Sequence, residues 1–235
     1  TAGLTALHVA CHAGRPEVVQ ELLDAGASVS TRDNCGRTAF HGAVAAREAL
    51  LVEMLADTAR EAIGEDALVP LVNCQDSAGW TPLHAAALQG DTEIALILIT
   101  AGAQPGALTL LGCTPLHMCC VRPSLPTAQL LVEQGCPLDT EDASGRTPLH
   151  YAASSGNVQL FQLLYASYKP PKEAGKQGGS GSIARLLHCA AQGGKMKIMG
   201  DLLHAGLADH DDKAGLSGNP NALHIACKMA EAEVV

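Results

Sequence analysis

The chain has 235 residues, of which 47% are apolar but only 3% aromatic, and its formal net charge is −9. This charge argues against a nucleic-acid partner, because contact with the phosphate backbone needs a basic face. The longest apolar run, from Ile94 to Ile99, is too short to cross a bilayer, so we expect no direct membrane insertion by this segment.

The chain repeats one short unit, which is found by aligning on a histidine. The clear copies are GLTALH at His8, GRTAFH at His41, GWTPLH at His84, GCTPLH at His117 and GRTPLH at His150, followed by weaker copies at His188 and His224. The successive spacings between these histidines are 33, 43, 33, 33, 38 and 36 residues.

Each unit predicts two short helices and a turn. In the third copy Thr81 suits a helix N-cap, Pro82 the first helical position and Gly90 a left-handed C-terminal residue. In the first copy, Val18 and Leu22 have the spacing of a second helix. A D-x-x-G turn begins three of the clear copies, at Asp33–Gly36, Asp76–Gly79 and Asp142–Gly145. Helices this short are unstable alone, so we expect the units to stack and bury their apolar faces.

The 33-residue period with the motif T-P-L-H-x-A closely resembles the ankyrin repeat family. The resemblance covers essentially the whole chain. It implies an all-α ankyrin-repeat solenoid of helix–turn–helix repeats with short β-turn or hairpin links. The expected repeats are 1–35, 36–78, 79–111, 112–144, 145–182, 183–218 and an incomplete 219–235. Neither end shows a polar capping repeat, so we expect the chain to be part of a longer protein.

Two segments depart from the period. Repeat two carries an insertion near residues 56–70. Helical spacing continues from Glu48 to Ile63, which predicts a lengthened second helix, and we expect a loop from Gly64 to Pro70. Residues 169–182 are rich in Gly, Ser, Lys and Pro without apolar periodicity, which favours a second loop.

We predict no catalytic, cofactor or metal site. Zinc needs four converging ligands, and neither H-x-x-C-H at His8 nor H-x-C-C at His117 is followed by a second ligand pair at finger spacing. No motif for nucleophilic, phosphoryl-transfer or metalloprotease chemistry occurs. The nine cysteines show no paired spacing. With no secretory leader visible, they favour reduced thiols in the cytoplasm, where a cytoskeletal or ciliary assembly fits equally well.

For the motif histidines, the resemblance implies a structural role. In the ankyrin family this histidine hydrogen-bonds to the adjacent threonine and between neighbouring turns. The residues concerned here are Thr5 and His8, Thr38 and His41, Thr81 and His84, Thr114 and His117, and Thr147 and His150.

The resemblance also implies where a partner binds. Ankyrin arrays usually bind proteins on their concave side, through turn tips and the ends of first helices. The candidate partner-binding residues at such positions are Arg37, Trp80, Leu88, Gln89, Leu110, Leu111, Val121, Arg122 and Arg146. Their apolar centre with arginines around it has the composition of a binding hot spot. For Trp80, Leu110 and Leu111, packing against neighbouring turns is an equally good interpretation.

The sequence therefore predicts a non-catalytic protein–protein interaction module, a scaffold or adaptor segment. The alternative is a regulatory ankyrin domain of a larger protein whose membrane-channel or enzymatic domain lies outside this segment. The lengthened helix of repeat two offers a second candidate face, although local packing on repeat three is the simpler interpretation. The partner's identity does not follow from the sequence, because specificity lies in the variable positions.

Overall fold

The computed structural model describes residues 3–168, 186, 189–190, 195 and 197–198. These residues form α1 (Ala6–His12), α2 (Pro16–Asp24), α3 (Ala39–Ala46), α4 (Ala49–Ile63), α5 (Glu65–Val72), α6 (Pro82–Gln89), α7 (Thr92–Thr100), α8 (Pro115–Val121), α9 (Leu125–Glu133), α10 (Pro148–Ser155) and α11 (Val158–Ser167). No β-strand occurs among them. This confirms the predicted all-α class. The expected loop 169–182, the expected repeat 219–235 and most of 183–218 lie outside the described residues.

The first helix of each repeat (α1, α3, α6, α8 and α10) begins with the same threonine–histidine pair. At α6, Thr81 and His84 form a capping box, in which the backbone N–H of Thr81 donates to His84 Nδ1 over 3.2 Å. Pro82 occupies the start of the helix, and Gly90 ends it in the left-handed conformation with φ 70°. The sequence thus fixes both ends of an eight-residue helix.

The chain divides into two compact units, Thr1–Pro137 and Leu138–Val235. In the first unit, α1, α3, α6 and α8 pack in succession, as do the second helices α2, α4, α7 and α9. Leu51, Ile94 and Thr127 occupy equivalent positions on the last three of these second helices, and all are fully buried. Val18 holds that position on α2 and is 49% exposed, because no described helix packs on its outer side. Stacking therefore builds the core.

In the second unit, α10 packs against α11. Leu160, Phe161 and Leu164 of α11 are buried, and the rings of Phe161 and Tyr165 stack with their centroids 5.9 Å apart. The side chain of Asn157 caps α11 by accepting the backbone N–H of Leu160 over 2.9 Å. The helix pair is thus built as in the first unit.

The predicted loop from Gly64 to Pro70 is wrong, because most of it is helical. The lengthened helix α4 reaches Ile63, and α5 then runs from Glu65 to Val72 with Pro70 inside it. Three apolar side chains of α5, Leu68, Leu71 and Val72, are buried, and α5 packs against α4. Burial of these side chains outweighs the loss of one helical hydrogen bond at Pro70.

The insertion is anchored to repeat three. The side-chain amide of Asn73 donates to the carbonyl of Gly102 over 2.8 Å, and its oxygen accepts the backbone N–H of Gln104 over 2.8 Å. Val69 packs so closely on Gly102 that a Cβ there would lie 2.8 Å from Val69 Cγ2. The inserted helices therefore cover the end of repeat three, which is the simpler of the two interpretations offered by the sequence.

Candidate partner-binding surface

The motif histidines link successive turns of the first unit. His84 Nδ1 lies 2.9 Å from Thr81 Oγ1, and His84 Nε2 lies 3.0 Å from the carbonyl oxygen of Cys113 in the next turn. The equivalent links join His8 Nε2 to the Arg37 carbonyl over 3.0 Å and His41 Nε2 to the Trp80 carbonyl over 3.1 Å. In the remaining pairs, the distance from histidine Nδ1 to threonine Oγ1 is 2.8 Å for Thr5–His8, 3.2 Å for Thr38–His41, 2.9 Å for Thr114–His117 and 2.8 Å for Thr147–His150.

These bonds define the chemistry of His84. Its Nε2 faces a carbonyl oxygen and so carries the proton, whereas Nδ1 accepts the backbone N–H of Thr81. Burial lowers the pKa of His84 to about 4, although the bond to the Cys113 carbonyl opposes this effect. A neutral imidazole with both nitrogens engaged holds the turn in place, and neither nitrogen is free to bind a metal or accept a substrate proton.

Arg37 lies beside an acidic turn. Asp33 Oδ1 accepts the backbone N–H of Cys35 over 2.8 Å and of Arg37 over 2.9 Å, while Asp33 Oδ2 lies 2.8 Å from Arg37 Nη2. Burial alone would raise the pKa of the Asp33 carboxyl, but these hydrogen bonds outweigh it and lower the pKa. The guanidinium of Arg37 is thereby held at the surface, with 44% of its side chain exposed.

Arg146 has the same setting in the second unit. Its Nη2 lies 3.4 Å from Asp142 Oδ2, and its guanidinium carbon lies 4.6 Å from the centre of the Tyr151 ring. The Tyr151 hydroxyl donates to Asp142 Oδ2 over 2.6 Å. Burial alone would raise the pKa of Asp142, but the hydrogen bonds, first that of Tyr151, lower it. These contacts fix the direction of the arginine.

The turn tip formed by Leu110 and Leu111 differs from the other turn tips in its side chains. Leu110 is 75% exposed and Leu111 is 67% exposed, so neither packs against a neighbouring turn. Their backbone is well held: the N–H of Leu110 donates to the Ala78 carbonyl over 3.1 Å, and a Cβ on Gly79 would lie 2.5 Å from Leu110 N. The structure thus presents two leucines to solvent on a tightly fixed turn.

The other candidate residues of the first unit lie in two settings. Trp80 is half-buried, and its ring centre lies 6.1 Å from that of His84. Its side chain therefore packs beside His84 and is not fully presented to solvent. Leu88 is also half-buried. Gln89, Val121 and Arg122 are brought together by the ends of α6 and α8, where they line an open cavity of about 490 Å³ with Gly90, Pro123 and Ser124.

One cavity of the first unit was not predicted from the sequence. It has a volume of about 370 Å³ and lies between α1 and α3, with Val9, His12, Arg37, Gly42 and Ala45 among its lining residues. The signal was present in the sequence. Repeat two places Gly and Ala at the two positions where repeat four has Met118 and Val121. Their small size is visible in the sequence, but the cavity that they leave depends on how α1 and α3 pack.

Two absences hold for the described residues. Within them, no three side chains of His, Cys, Asp and Glu are placed to hold a metal ion together. No helix there is both long enough and apolar enough to cross a membrane.

Comparison with known relatives gives partial matches. The yeast Saccharomyces cerevisiae "Probable 26S proteasome regulatory subunit p28" is 34% identical over 97 residues, which are 41% of this chain and 39% of that protein. "Tyrosine-protein kinase HTK16" of Hydra vulgaris is 32% identical over 106 residues, 43% of this chain and 12% of the kinase. Human "Neurogenic locus notch homolog protein 2" is 33% identical over 126 residues, 43% of this chain and 5% of that protein. The chain thus matches well under half of each relative.

Family models match most of the chain. A model described as ankyrin repeats (3 copies) matches residues 91–174, and two described as ankyrin repeats (many copies) match residues 1–43 and 49–99. The ankyrin fold is generally a non-catalytic interaction fold. Together with the stacked helix pairs and the threonine–histidine turns, these matches show that the chain belongs to the ankyrin repeat family.

Proposed function

We propose that this chain is a non-catalytic scaffold or adaptor module, which binds a protein partner through the surface of its turn tips and first helices. The observation that carries the proposal is the exposure of Leu110 and Leu111. Of the turn tips in the described residues, only this one carries two large apolar side chains, since the others have Asn34–Cys35, Ser77–Ala78 and Ala143–Ser144.

The apolar tip is suited to binding in energy and in geometry. Covering a leucine side chain completely stabilises a complex by roughly 1.5–3 kcal/mol, so two leucines supply a substantial part of a binding energy. Leu108, two residues earlier in the chain, is a further exposed leucine, with 45% of its surface accessible. The hydrogen bond from the Leu110 N–H to the Ala78 carbonyl already orders the backbone of this tip. Little backbone conformational entropy is therefore lost when a partner covers it.

The test is a capture experiment with quantitative mass spectrometry. The parent chain and a Leu110→Ser, Leu111→Ser variant are used as baits in native extract, and the captured protein is then titrated in purified form. We expect the variant to bind about tenfold more weakly or worse, a loss of about 1.4 kcal/mol or more. Trp80 is left unchanged because its ring contacts His84 and its loss would disturb the turn.

The matched control is a Leu50→Ser, Leu96→Ser variant. It removes two leucines that are 53% and 46% exposed from the second helices α4 and α7. The control should capture the same partner as the parent, and circular dichroism should show equal helicity in all three proteins. Equal affinity of the parent and the Leu110→Ser, Leu111→Ser variant would remove this turn tip from the binding surface.

A second candidate role is a regulatory ankyrin domain beside an enzymatic or channel domain. The observation that favours it is the match to a tyrosine-protein kinase over 12% of that kinase's length. In such a protein the surface would bind within the same polypeptide. Expression of the full-length gene product, followed by an activity assay with Leu110 and Leu111 changed to serine, separates this role from that of an adaptor.

We place the protein in the cytoplasm as part of the same proposal. Cys119 and Cys120 are buried with free thiols, which supports a reducing compartment. Burial raises the pKa of both thiols, so they are protonated and unreactive at neutral pH. Imaging of the tagged protein tests this, since an extracellular or lumenal location would contradict it.

A further inference from the structure

The cavity between α1 and α3 exists because α3 contributes two small residues, Gly42 and Ala45, to its wall. A Cβ on Gly42 would lie 3.2 Å from the backbone nitrogen of His12, so the two first helices approach each other closely at that point. Ala45, one turn further along α3, is exposed and leaves the space above unfilled. A volume of about 370 Å³ is at the lower end of the range of about 300–1,000 Å³ for ligand pockets.

Part of the lining of this cavity is apolar. Leu4 and Val9 line it and are 48% and 54% exposed, with Ala13 and Ala45 beside them. Side chains of this kind gain from being covered, and the concave shape allows one inserted side chain to contact several lining residues at once.

The polar groups of the lining include one acid, which is already paired. Among the described residues of the lining, the only acid is Asp33, and its two oxygens accept hydrogen bonds from the backbone and guanidinium of Arg37 and from the backbone of Cys35. Arg37 uses Nε and Nη2 for this contact, while 44% of its side chain remains exposed. The exposed imidazole of His12 has no hydrogen-bond partner within the described chain. The rim can therefore accept one more carboxylate.

We infer that this cavity binds a short segment of a partner protein, in which a large apolar side chain such as phenylalanine is followed by an acidic residue. The apolar side chain fills the space above Gly42 and Ala45, and the carboxylate lies against Arg37 and His12. The inference rests on the proposed interaction function and adds a second contact point, in repeats one and two. Its test does not use the Leu110–Leu111 tip, so the two can fail separately.

The test uses capped dipeptides in a titration followed by amide NMR shifts. Acetyl-Phe-Asp-amide should give saturable shifts at Val9, Arg37 and Ala45, with a dissociation constant on the order of millimolar. Acetyl-Phe-Asn-amide, which has the same shape without the charge, should bind about two- to fivefold more weakly, as for a partly exposed ion pair. Acetyl-Ala-Asp-amide should give no saturable shift, because it leaves the cavity empty.

Two variants of the protein locate the binding. Ala45→Phe fills the cavity from an exposed position and should weaken acetyl-Phe-Asp-amide at least tenfold, while Ala62→Phe makes the same change on the exposed side of α4 and should not. Circular dichroism checks that both are folded. The inference is overturned if Ala45→Phe binds as the parent does, if the Asp and Asn peptides bind equally, or if no peptide gives a saturable shift. Tighter binding of N-acetylphenylalaninate than of the Asp peptide would also overturn it, in favour of a small carboxylate ligand.

Discussion

At the scale of single residues, the motif histidine illustrates how one side chain determines a turn. His84 is fully buried, and both of its ring nitrogens have hydrogen-bond partners. One partner is Thr81 at the N-cap of the same helix, and the other is the Cys113 carbonyl in the next turn. A buried polar group with unmade bonds would destabilise the fold by about 1–3 kcal/mol, so the pairing matters more than the type of residue. The same arrangement at His8 and His41 holds the carbonyls of Arg37 and Trp80.

The lowered pKa of His84 predicts an acid-sensitive fold. Because its pKa is about 4 in the folded protein and 6.5 ordinarily, the unfolded chain takes up a proton first as the pH falls. The contribution of His84 to the free energy of unfolding is therefore fully present above pH 6.5. About 3 kcal/mol of it is lost as the pH falls from 6.5 to 4. Urea unfolding at pH 7, 5.5 and 4.5 measures the loss.

The variant that tests this assignment is His84→Gln. It should be less stable than the parent at pH 7 and should lose less of its stability between pH 7 and 4.5. His12→Gln is the control for the substitution itself, since this histidine is exposed at the end of α1. An unchanged slope in His84→Gln would show that another group causes the acid sensitivity.

At the scale of elements, α5 shows how tertiary contacts overrule local signals. Gly64 and Pro70 are helix breakers, and Gly64 does end α4 with a φ of 85°. Beyond it, Glu65 and Asp66 in the first turn favour a new helix N-terminus. Burial of Leu68 against α4 then holds the helix despite Pro70.

Replacing Pro70 tests the helical state of this segment. Pro70→Ala restores a backbone donor inside α5 and should stabilise the protein, by roughly 1–3 kcal/mol. Pro16→Ala is the matched control, because Pro16 lies at the first position of α2, where proline costs nothing. Urea unfolding should show a gain for the first variant and little change for the second. A neutral or destabilising Pro70→Ala would argue that residues 65–72 are not helical in solution.

At the scale of the whole molecule, each repeat depends on its neighbours. Leu51 is buried between successive second helices, whereas Val18 holds the same position with no described helix on its outer side. We therefore expect Leu51→Ala to destabilise the first unit by roughly 2–5 kcal/mol and Val18→Ala by less than about 1 kcal/mol. Thermal and urea unfolding measure both. Equal losses would mean that α2 is covered on both sides in solution.

The sequence by itself determined the repeated helix pairs, the family and the turn chemistry. Threonine, proline, histidine and glycine at fixed spacings act locally, through caps and φ preferences, so a linear pattern suffices to predict them. It also placed candidate residues at the turn tips, because the repeat phase assigns each position.

Only the tertiary structure decided which of those residues are available. Trp80 and Leu110 are both large, apolar and at turns, yet one is half-buried beside His84 and the other is 75% exposed. The helical state of α5 and the cavity above Gly42 were likewise settled by packing. Exposure, burial and empty space depend on which side chains approach from other repeats, and these distances are not local properties of the sequence.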